Sequence, residues 1–441
     1  MAPPGNIRVA AIMMLMGSLS ANVVAAAPLS LDQIVDMAVQ VSPQVHAARA
    51  RWESAKHSIM QKYAPEDPVL SFSSLDSPTN GFSDASSRTY EVDQALQFPG
   101  KALLQGERAK RSAQIARLSY EAVMRDVRTN AATEFYQLSL DEALRYRVVT
   151  TMSDLKEVAG ATKANQPKAD AEAVAAEITE EEQNIRRFDQ ALADDKIRLN
   201  TLLRRPADEP IEIDSTLEVE PIGERVDDLV DRAWHRRQEI LQFALSSENA
   251  ATALTLAKLE YAPDYYVGYS FNHYLLDSAA PGPNLTQTHN IWVGFNLPVF
   301  FWMKQKEDVI RADYDLQAAR EDLEGVRIDT AAQVTLLYRH AQFDYQEAVR
   351  YRDSIVPTRE ELFKSALAAY RKNGDYLAAL VHVRAQLREA RSSFLEAAAR
   401  LIQDRVELEQ EIGEPLRTPG ALTMARIDPS RDLLQDDLVD A

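Results

Sequence analysis

The sequence runs through one order of elements twice, and this duplication limits the possible folds more than any other feature. Leu31-Asp-Gln-Ile-Val-Asp-Met-Ala38 opens a helical stretch that closes on Tyr63-Ala-Pro65, and Val226-Asp-Asp-Leu-Val-Asp-Arg-Ala233 opens another that closes on Tyr261-Ala-Pro263. In each copy two short alternating segments follow. A long region rich in Ala, Leu and charge comes next, ending in Leu202-Leu-Arg-Arg-Pro206 or Glu411-Ile-Gly-Glu-Pro415. A period of about 200 residues is far longer than a solenoid unit and predicts a duplicated half-protein. The expected division is a first repeat over residues 28–205, an inter-repeat linker over 206–225 with Pro206, Pro210 and Pro221, and a second repeat over 226–415. Residues 416–441 lose helical periodicity and read as a mobile acidic tail.

Residues 1–27 carry Arg8, an apolar run from Val9 to Leu19 and the small residues Val24-Ala-Ala-Ala27. That run is too short to span a bilayer and predicts a cleaved secretory signal peptide. The chain has no Cys, which excludes a lipid-modified thiol, disulfides and thiol chemistry. No later segment is apolar for long enough to cross a membrane as a helix, so any crossing falls to strands. The net charge is −18, or −19 once the +1 of Arg8 is removed with the signal. This balance argues against nucleic acid and anionic lipid surfaces as partners.

Four segments alternate with strand periodicity. Tyr90, Val92, Leu96 and Phe98 share one side of the first clear strand, with Glu91, Asp93 and Gln97 on the other. Ile291, Val293, Phe295 and Leu297 alternate with Trp292, Gly294 and Asn296; Val267, Tyr269 and Phe271 alternate with Gly268, Ser270 and Asn272; Leu70 and Phe72 alternate with Ser71 and Ser73. Each is near nine residues, the length of a membrane-spanning β-strand, and the aromatics suit interface girdles. Two soluble hairpins packed on helices are the alternative. Four strands cannot close a membrane barrel, whose smallest known form has about eight, and an open edge is not tolerated in lipid. A membrane reading therefore needs several chains to share one barrel.

From Lys101 to Thr162 there is no Pro, and about 60 helical residues would reach about 90 Å. Tyr120, Val123, Val127, Ala131, Phe135 and Leu138 form one narrow stripe, as coiled-coil packing requires. The second arm, Gln305 to Ala369, repeats this with Leu323, Val326, Thr330, Val334, Leu337 and Ala341, and Pro357 predicts a kink or break. The arms turn back at Asn165-Gln-Pro167 and Asn373-Gly374, so the return segments 169–204 and 376–411 make antiparallel hairpins. A periplasmic coiled-coil scaffold would fit the arms and leave the strands unexplained.

The sequence carries no phosphate loop, nucleophile elbow or His-Glu-x-x-His pair, and no enzyme is expected. Among seven His, His273 and His289 could approach each other across the second hairpin, and two His without a third ligand are more often surface or interface polar residues than a metal site. No cofactor or metal is expected. Asp194-Asp195 and Glu180-Glu-Glu182 read as solvated helix faces rather than acid/base dyads.

In order, spacing and duplication these elements resemble the TolC family of outer-membrane efflux ducts over about residues 29–416. The residues that carry the resemblance are the repeated start helix, the Tyr-Ala-Pro approach to the first strand, the exit Leu96-Gln-Phe-Pro-Gly-Lys101, its counterpart Asn296-Leu-Pro-Val-Phe300, and the tip Tyr370-Arg-Lys-Asn-Gly374. The exit resembles the cation-efflux (Czc/Cus-like) branch more than the type I protein secretion ducts. The resemblance implies an α+β membrane protein with long antiparallel coiled-coil hairpins and four transmembrane strands per chain. A homotrimer would form a twelve-stranded barrel continued by a periplasmic helical tunnel. It implies passage of small solutes or metal cations in a tripartite pump, with a periplasmic adaptor and an inner-membrane transporter of the resistance-nodulation-division type as partners. The implied location is the outer membrane with a periplasmic extension. Lipid would meet Tyr90, Val92, Leu96, Val267, Tyr269, Phe271, Ile291, Val293 and Phe295. Adaptor docking would fall on Asn165, Gln166, Pro167, Asn373 and Gly374. The entrance gate would involve Asp170, Glu172, Arg371, Lys372, Asp375, Leu377 and Leu380. Gln166 stands where the family usually has glycine, and Leu380 where related ducts often place a gating aspartate.

Overall fold

The computed structural model describes residues 28–76, 85–161, 168–214, 219–274, 287–373 and 377–416; the expected signal and residues 417–441 of the expected tail lie outside them, while Leu416, the first residue of that expected tail, is buried beside Leu408 and Ile412. The first copy contains α1 (Leu31–Val41), α2 (Pro43–Tyr63), β1 (Val69–Asp76), β2 (Ala85–Leu96), α3 (Lys101–Ala161) and α4 (Lys168–Leu202). The second contains α5 (Val226–Arg236), α6 (Gln238–Leu259), β3 (Tyr265–Tyr274), β4 (Gln287–Phe295), α7 (Gln305–Arg350), α8 (Val356–Asn373) and α9 (Leu377–Ile412).

The start segment, expected as one helical stretch, is two helices in each copy. Ser30 and Gln33 close a capping box on α1, and Ser42 then caps α2 with Pro43 at its first position. A capping serine followed by proline ends one helix and starts the next, because proline supplies no donor to the preceding turn. Arg237 occupies the elbow of the second copy without a side-chain cap. It bonds instead to Thr330 on α7 at 2.6 Å and to Glu411 on α9 at 2.6 Å.

At 1.5 Å per residue α3 is about 90 Å long. The second arm does not break at Pro357. One π-helical turn, Tyr351–Ile355, joins α7 to α8 and keeps the chain helical from residue 305 to 373, about 100 Å. Widening the turn ahead of Pro357 accommodates a residue that cannot donate to the ordinary ladder. The arm stripes are interior: Val127, Ala131, Phe135 and Leu138 on α3, and Thr330, Val334, Leu337 and Ala341 on α7, are all buried. The first stripe packs with α1 residues Ile34, Val35 and Ala38, and the second with Leu229 and Ala233 of α5 and Leu408 and Ile412 of α9. The linker crosses the same level. Ile213 bridges in parallel to Leu29, with Ile211 and Ile213 buried in the first core.

Two buried cations tie the copies together. Lys101, 2% exposed, reaches Asp264 at 2.8 Å, Glu260 at 3.1 Å and the Ala262 carbonyl at 3.2 Å, while Asp264 also accepts from the Phe98 amide at 2.7 Å. Burial opposes its charge, but the bonds to Asp264 and Glu260 outweigh it and raise its pKa. The Phe98-Pro-Gly-Lys101 exit is thereby pinned to the end of α6. Arg125 on α3, 4% exposed, grips both oxygens of Glu239 on α6 at 2.6 and 3.0 Å and also donates to Gln238 and Asp126.

The copies solve one turn differently. Arg204 and Gly413, each two residues before the proline that closes its repeat, have φ of +54° and +82°. The Gly413 amide bonds to Glu409 O at 3.0 Å, and a Cβ there would lie 2.9 Å from the Arg237 Cα. Arg204 holds the left-handed conformation at a cost of about 1 kcal/mol. Arg204→Gly should therefore raise stability by about 0.5–1 kcal/mol, seen as a higher urea midpoint at unchanged slope.

Candidate functional site

The strands form one antiparallel sheet in the order β1-β2-β3-β4, so β2 and β3 join the copies while β1 and β4 are open edges. Partners directly opposite one another across antiparallel strands point to the same side. The register aligns Leu70, Val92, Tyr269 and Ile291 in one row and Phe72, Tyr90, Phe271 and His289 in the next towards the hairpin turns. Val267 opposes Val293, and Leu96 opposes Tyr265, which opposes Phe295. All nine residues expected on the lipid side share this face.

Leu70, Ile291 and Val293 are 80%, 76% and 68% exposed, so the face is uncovered in the single chain. A largely apolar surface of this kind, interrupted by Gln94 opposite Val267 and by His289 opposite Phe271, marks a partner or lipid. Tyr90 sits between Phe72, 5.1 Å away, and Phe271, 6.2 Å away. Arg88, His273 and Gln287 lie in one polar row where the strands approach their turns. His289 is opposite Phe271, not His273, and its Nδ1 meets the Tyr269 hydroxyl at 2.7 Å. No group of three metal-ligating side chains occurs among the described residues.

The other face is hydrogen-bonded and polar. Thr89 donates to Asn272 Oδ1 at 2.6 Å, Asn272 donates to Thr288 at 3.3 Å, and Asn290 donates to Ser270 at 3.4 Å. Glu91 and Asp93 follow along β2. Trp292 covers Gly268 and Tyr266 covers Gly294; a Cβ on either glycine would fall within 2.2 Å of the ring.

Where β4 leaves the sheet, Leu297, Val299, Phe300, Phe301, Trp302 and Met303 are all exposed. In the sequence, Asn296-Leu-Pro-Val-Phe300 reads as a strand exit and does not announce this exposed apolar run. Its signal was the longer connection, since nine residues separate β4 from α7 and four separate β2 from α3.

At the far end of the arms, Val174, Phe363, Leu367, Tyr370, Leu377, Leu380 and Leu387 form one buried cluster from α4, α8 and α9. Leu377 and Leu380 thus pack inside the chain. Glu172, Arg371 and Lys372 are exposed, and Asn373 ends α8. Asp170 lies in the first turns of α4, where only the backbone is described; Asn165, Gln166, Pro167, Gly374 and Asp375 lie outside the described residues. Behind the cluster Arg384 bonds to Glu177 and approaches Glu181 at 3.7 Å, and Arg388 bonds to Glu181 at 2.8 Å.

Here the expectation of solvated acids needs correction. Asp194, Glu180 and Glu182 are exposed, but Asp195 and Glu181 are each 1% exposed. Arg198 and Asn184 approach them from α4 itself, but what encloses them, Asp141 on α3 and Arg388 on α9, lies on other helices, so no local pattern announces their burial. Aligning the two copies on their closing prolines would have drawn attention to Asp195, because Asp404 stands at the equivalent place.

No protein-family model and no curated protein matches the sequence. Solved structures do. The outer membrane protein VceC from Vibrio cholerae superposes with a TM-score of 0.72 at 15% identity, covering 87% of this chain and 96% of that one. The Campylobacter jejuni CmeC outer membrane channel gives 0.71 at 14%, covering 93% and 94%. CusC, described in connection with transmembrane channel formation, gives 0.71 at 14%, covering 87% and 92%. What is shared at such identity is the fold, long helical hairpins on a four-stranded sheet, as the resemblance to the TolC family implied.

Proposed function

We propose that this chain is one of three protomers of an outer-membrane exit duct, the outer part of a tripartite pump that moves small solutes or metal cations from an inner-membrane transporter through a periplasmic adaptor. The observation that carries this reading is the sheet: it is apolar on one face, polar on the other and unpaired at both edges. Lipid tolerates no open edge, so β1 of one chain would pair with β4 of the next until the sheet closes. Twelve strands 4.8 Å apart and tilted by about 40° enclose a barrel about 24 Å across between backbones. The Thr89, Asn272 and Asn290 face would then line a wet bore, and Glu91 and Asp93 would favour cations there. The apolar run from Leu297 to Met303 would meet the periplasmic membrane interface, where aromatic side chains are favourable. The hairpin ends would form the entrance and dock the adaptor through Asn165, Gln166, Pro167, Asn373 and Gly374. Cation-efflux pumps remain the favoured branch, from the Phe98-Pro-Gly-Lys101 exit.

Closure would use the charges at those ends. Asp170, Glu172 and Asp375 with Arg371 and Lys372 would recur three times about the axis, each ion pair weak but the set acting together. Purified protein in planar bilayers should be trimeric and conducting, and Arg371→Glu should raise single-channel conductance. A monodisperse monomer that is stable without detergent would overturn the duct and favour the scaffold. Unchanged conductance in the variant would leave closure to packing of the arms against one another, which Leu377 and Leu380 support only from inside each chain.

A further inference from the structure

Each helical hairpin contains a pair of facing aspartates at the same height. Asp195 on α4 lies beside Asp141 on α3, and Asp404 on α9 beside Asp344 on α7, each near enough for its carboxyl to feel the other's charge. Asp195 and Asp404 both stand eleven residues before the proline that closes their repeat. Asp141, Asp195 and Asp344 are 9%, 1% and 7% exposed. Asp195 Oδ2 and Asp404 Oδ2 are buried acceptors without a donor, which a proton on one member of each couple would supply.

We propose that Asp141–Asp195 and Asp344–Asp404 are two proton-binding sites, duplicated with the fold, in which one shared proton holds each hairpin closed and its loss drives the paired helices apart. Two facing carboxylates cannot both ionise without strong repulsion, so each couple keeps one proton after ordinary aspartates have lost theirs. The couples belong to the chain whatever passes through the duct.

The surrounding charges do not remove this proton. At the first couple, Gln137 donates to Asp141 at 3.3 Å; Arg198 on α4 pairs with Asp195 but also with Glu134 on α3 at 3.1 Å. At the second, Arg400 on α9 divides its charge between Asp344 at 3.1 Å and Glu347 at 2.7 Å, while His340 and Glu407 act on Asp404 with opposite sign. From α3, uncharged Thr133, Tyr136 and Gln137 line the cleft shared with Arg400. Burial first, then the neighbouring Asp141 carboxyl, raises Asp195 to about 7; burial, then the neighbouring Asp344 carboxyl, raises Asp404 to about 6.

The folded chain therefore binds protons that the unfolded chain releases near pH 4. Stability falls as pH rises from there through about 6 and 7, then levels. In full-length protein in nanodiscs, infrared spectra should show protonated carboxyl absorption lost in two steps near pH 6 and 7, and the melting temperature should be lower at pH 8 than at pH 5. Asp195→Asn with Asp404→Asn keeps shape and a donor without a titrating proton. This variant should lose both infrared steps and most of the difference in melting temperature. Should it fail to fold, Asp141→Asn with Asp344→Asn makes the same test from the other partners. Absence of protonated carboxyl in wild type above pH 5.5, or persistence of both steps in a folded variant, would overturn the proposal.

Discussion

Ile291→Arg should prevent stable assembly in the bilayer, while Asp93→Asn on the opposite face should leave it intact. Ile291 is 76% exposed in the row with Leu70, Val92 and Tyr269, midway along the apolar face. An arginine facing lipid near mid-membrane costs about 2–4 kcal/mol. In a three-fold assembly the cost enters three times, about 6–12 kcal/mol, comparable with the whole stability of a typical domain. Membrane fractionation and urea unfolding in liposomes would measure it. Equal loss of trimer from both substitutions would show that the two faces have been assigned to the wrong environments.

Arg125→Ala should cost about 1.5–3 kcal/mol, because it takes the two-pronged bond from the half-buried Glu239 carboxylate at the joint between the copies and leaves it Arg237 at 3.2 Å. Arg125→Lys should fall between, since an ammonium keeps the charge but cannot reproduce the fork. Burial pushes the Glu239 carboxyl upward, yet the Arg125 bond outweighs that and holds it below the usual range. A depressed carboxyl contributes stability above its unfolded value of about 4.5 that is lost as pH falls below it. Urea midpoints at pH 7 and pH 4 should therefore converge in Arg125→Ala relative to wild type. An unchanged midpoint at pH 7 would mean that the ion pair does not couple the copies.

The arms and strands were legible because their periodicities repeat over many residues: the stripe from Val127 to Leu138 and the alternation from Ile291 to Phe295 need no partner to be recognised. The elbow at Ser42-Pro43 was also local and could have been read. The joints were not. Arg125, Arg384 and Asp195 sit among charged neighbours on helices whose exposed and buried faces differ by one residue. Glu239 lies 114 residues from Arg125 and Glu177 lies 207 from Arg384. Of the kink or break expected at Pro357, the break is absent, since a single wide turn keeps the helix continuous. At the hairpin ends, the sequence placed Leu377 and Leu380 at the mouth, whereas their side chains serve the internal packing of one chain.

The seam between β2 and β3 also bears on how the molecule is made. Thr89 and Asn272, bonded across it, are separated by 183 residues, and α3, α4, α5 and α6 lie between them. Contacts so distant in sequence form late, because the entropy of closing the loop is lost before the contacts compensate. The first hairpin must therefore exist for a time with both edges free and its apolar side uncovered, a state open to pairing with the same hairpin of another molecule. How long it waits is set by the first arm, its return helix and the start helices of the second copy, α3 to α6, and not by its own strands. A chain of this design accordingly depends on something that shelters the first hairpin until the second arrives.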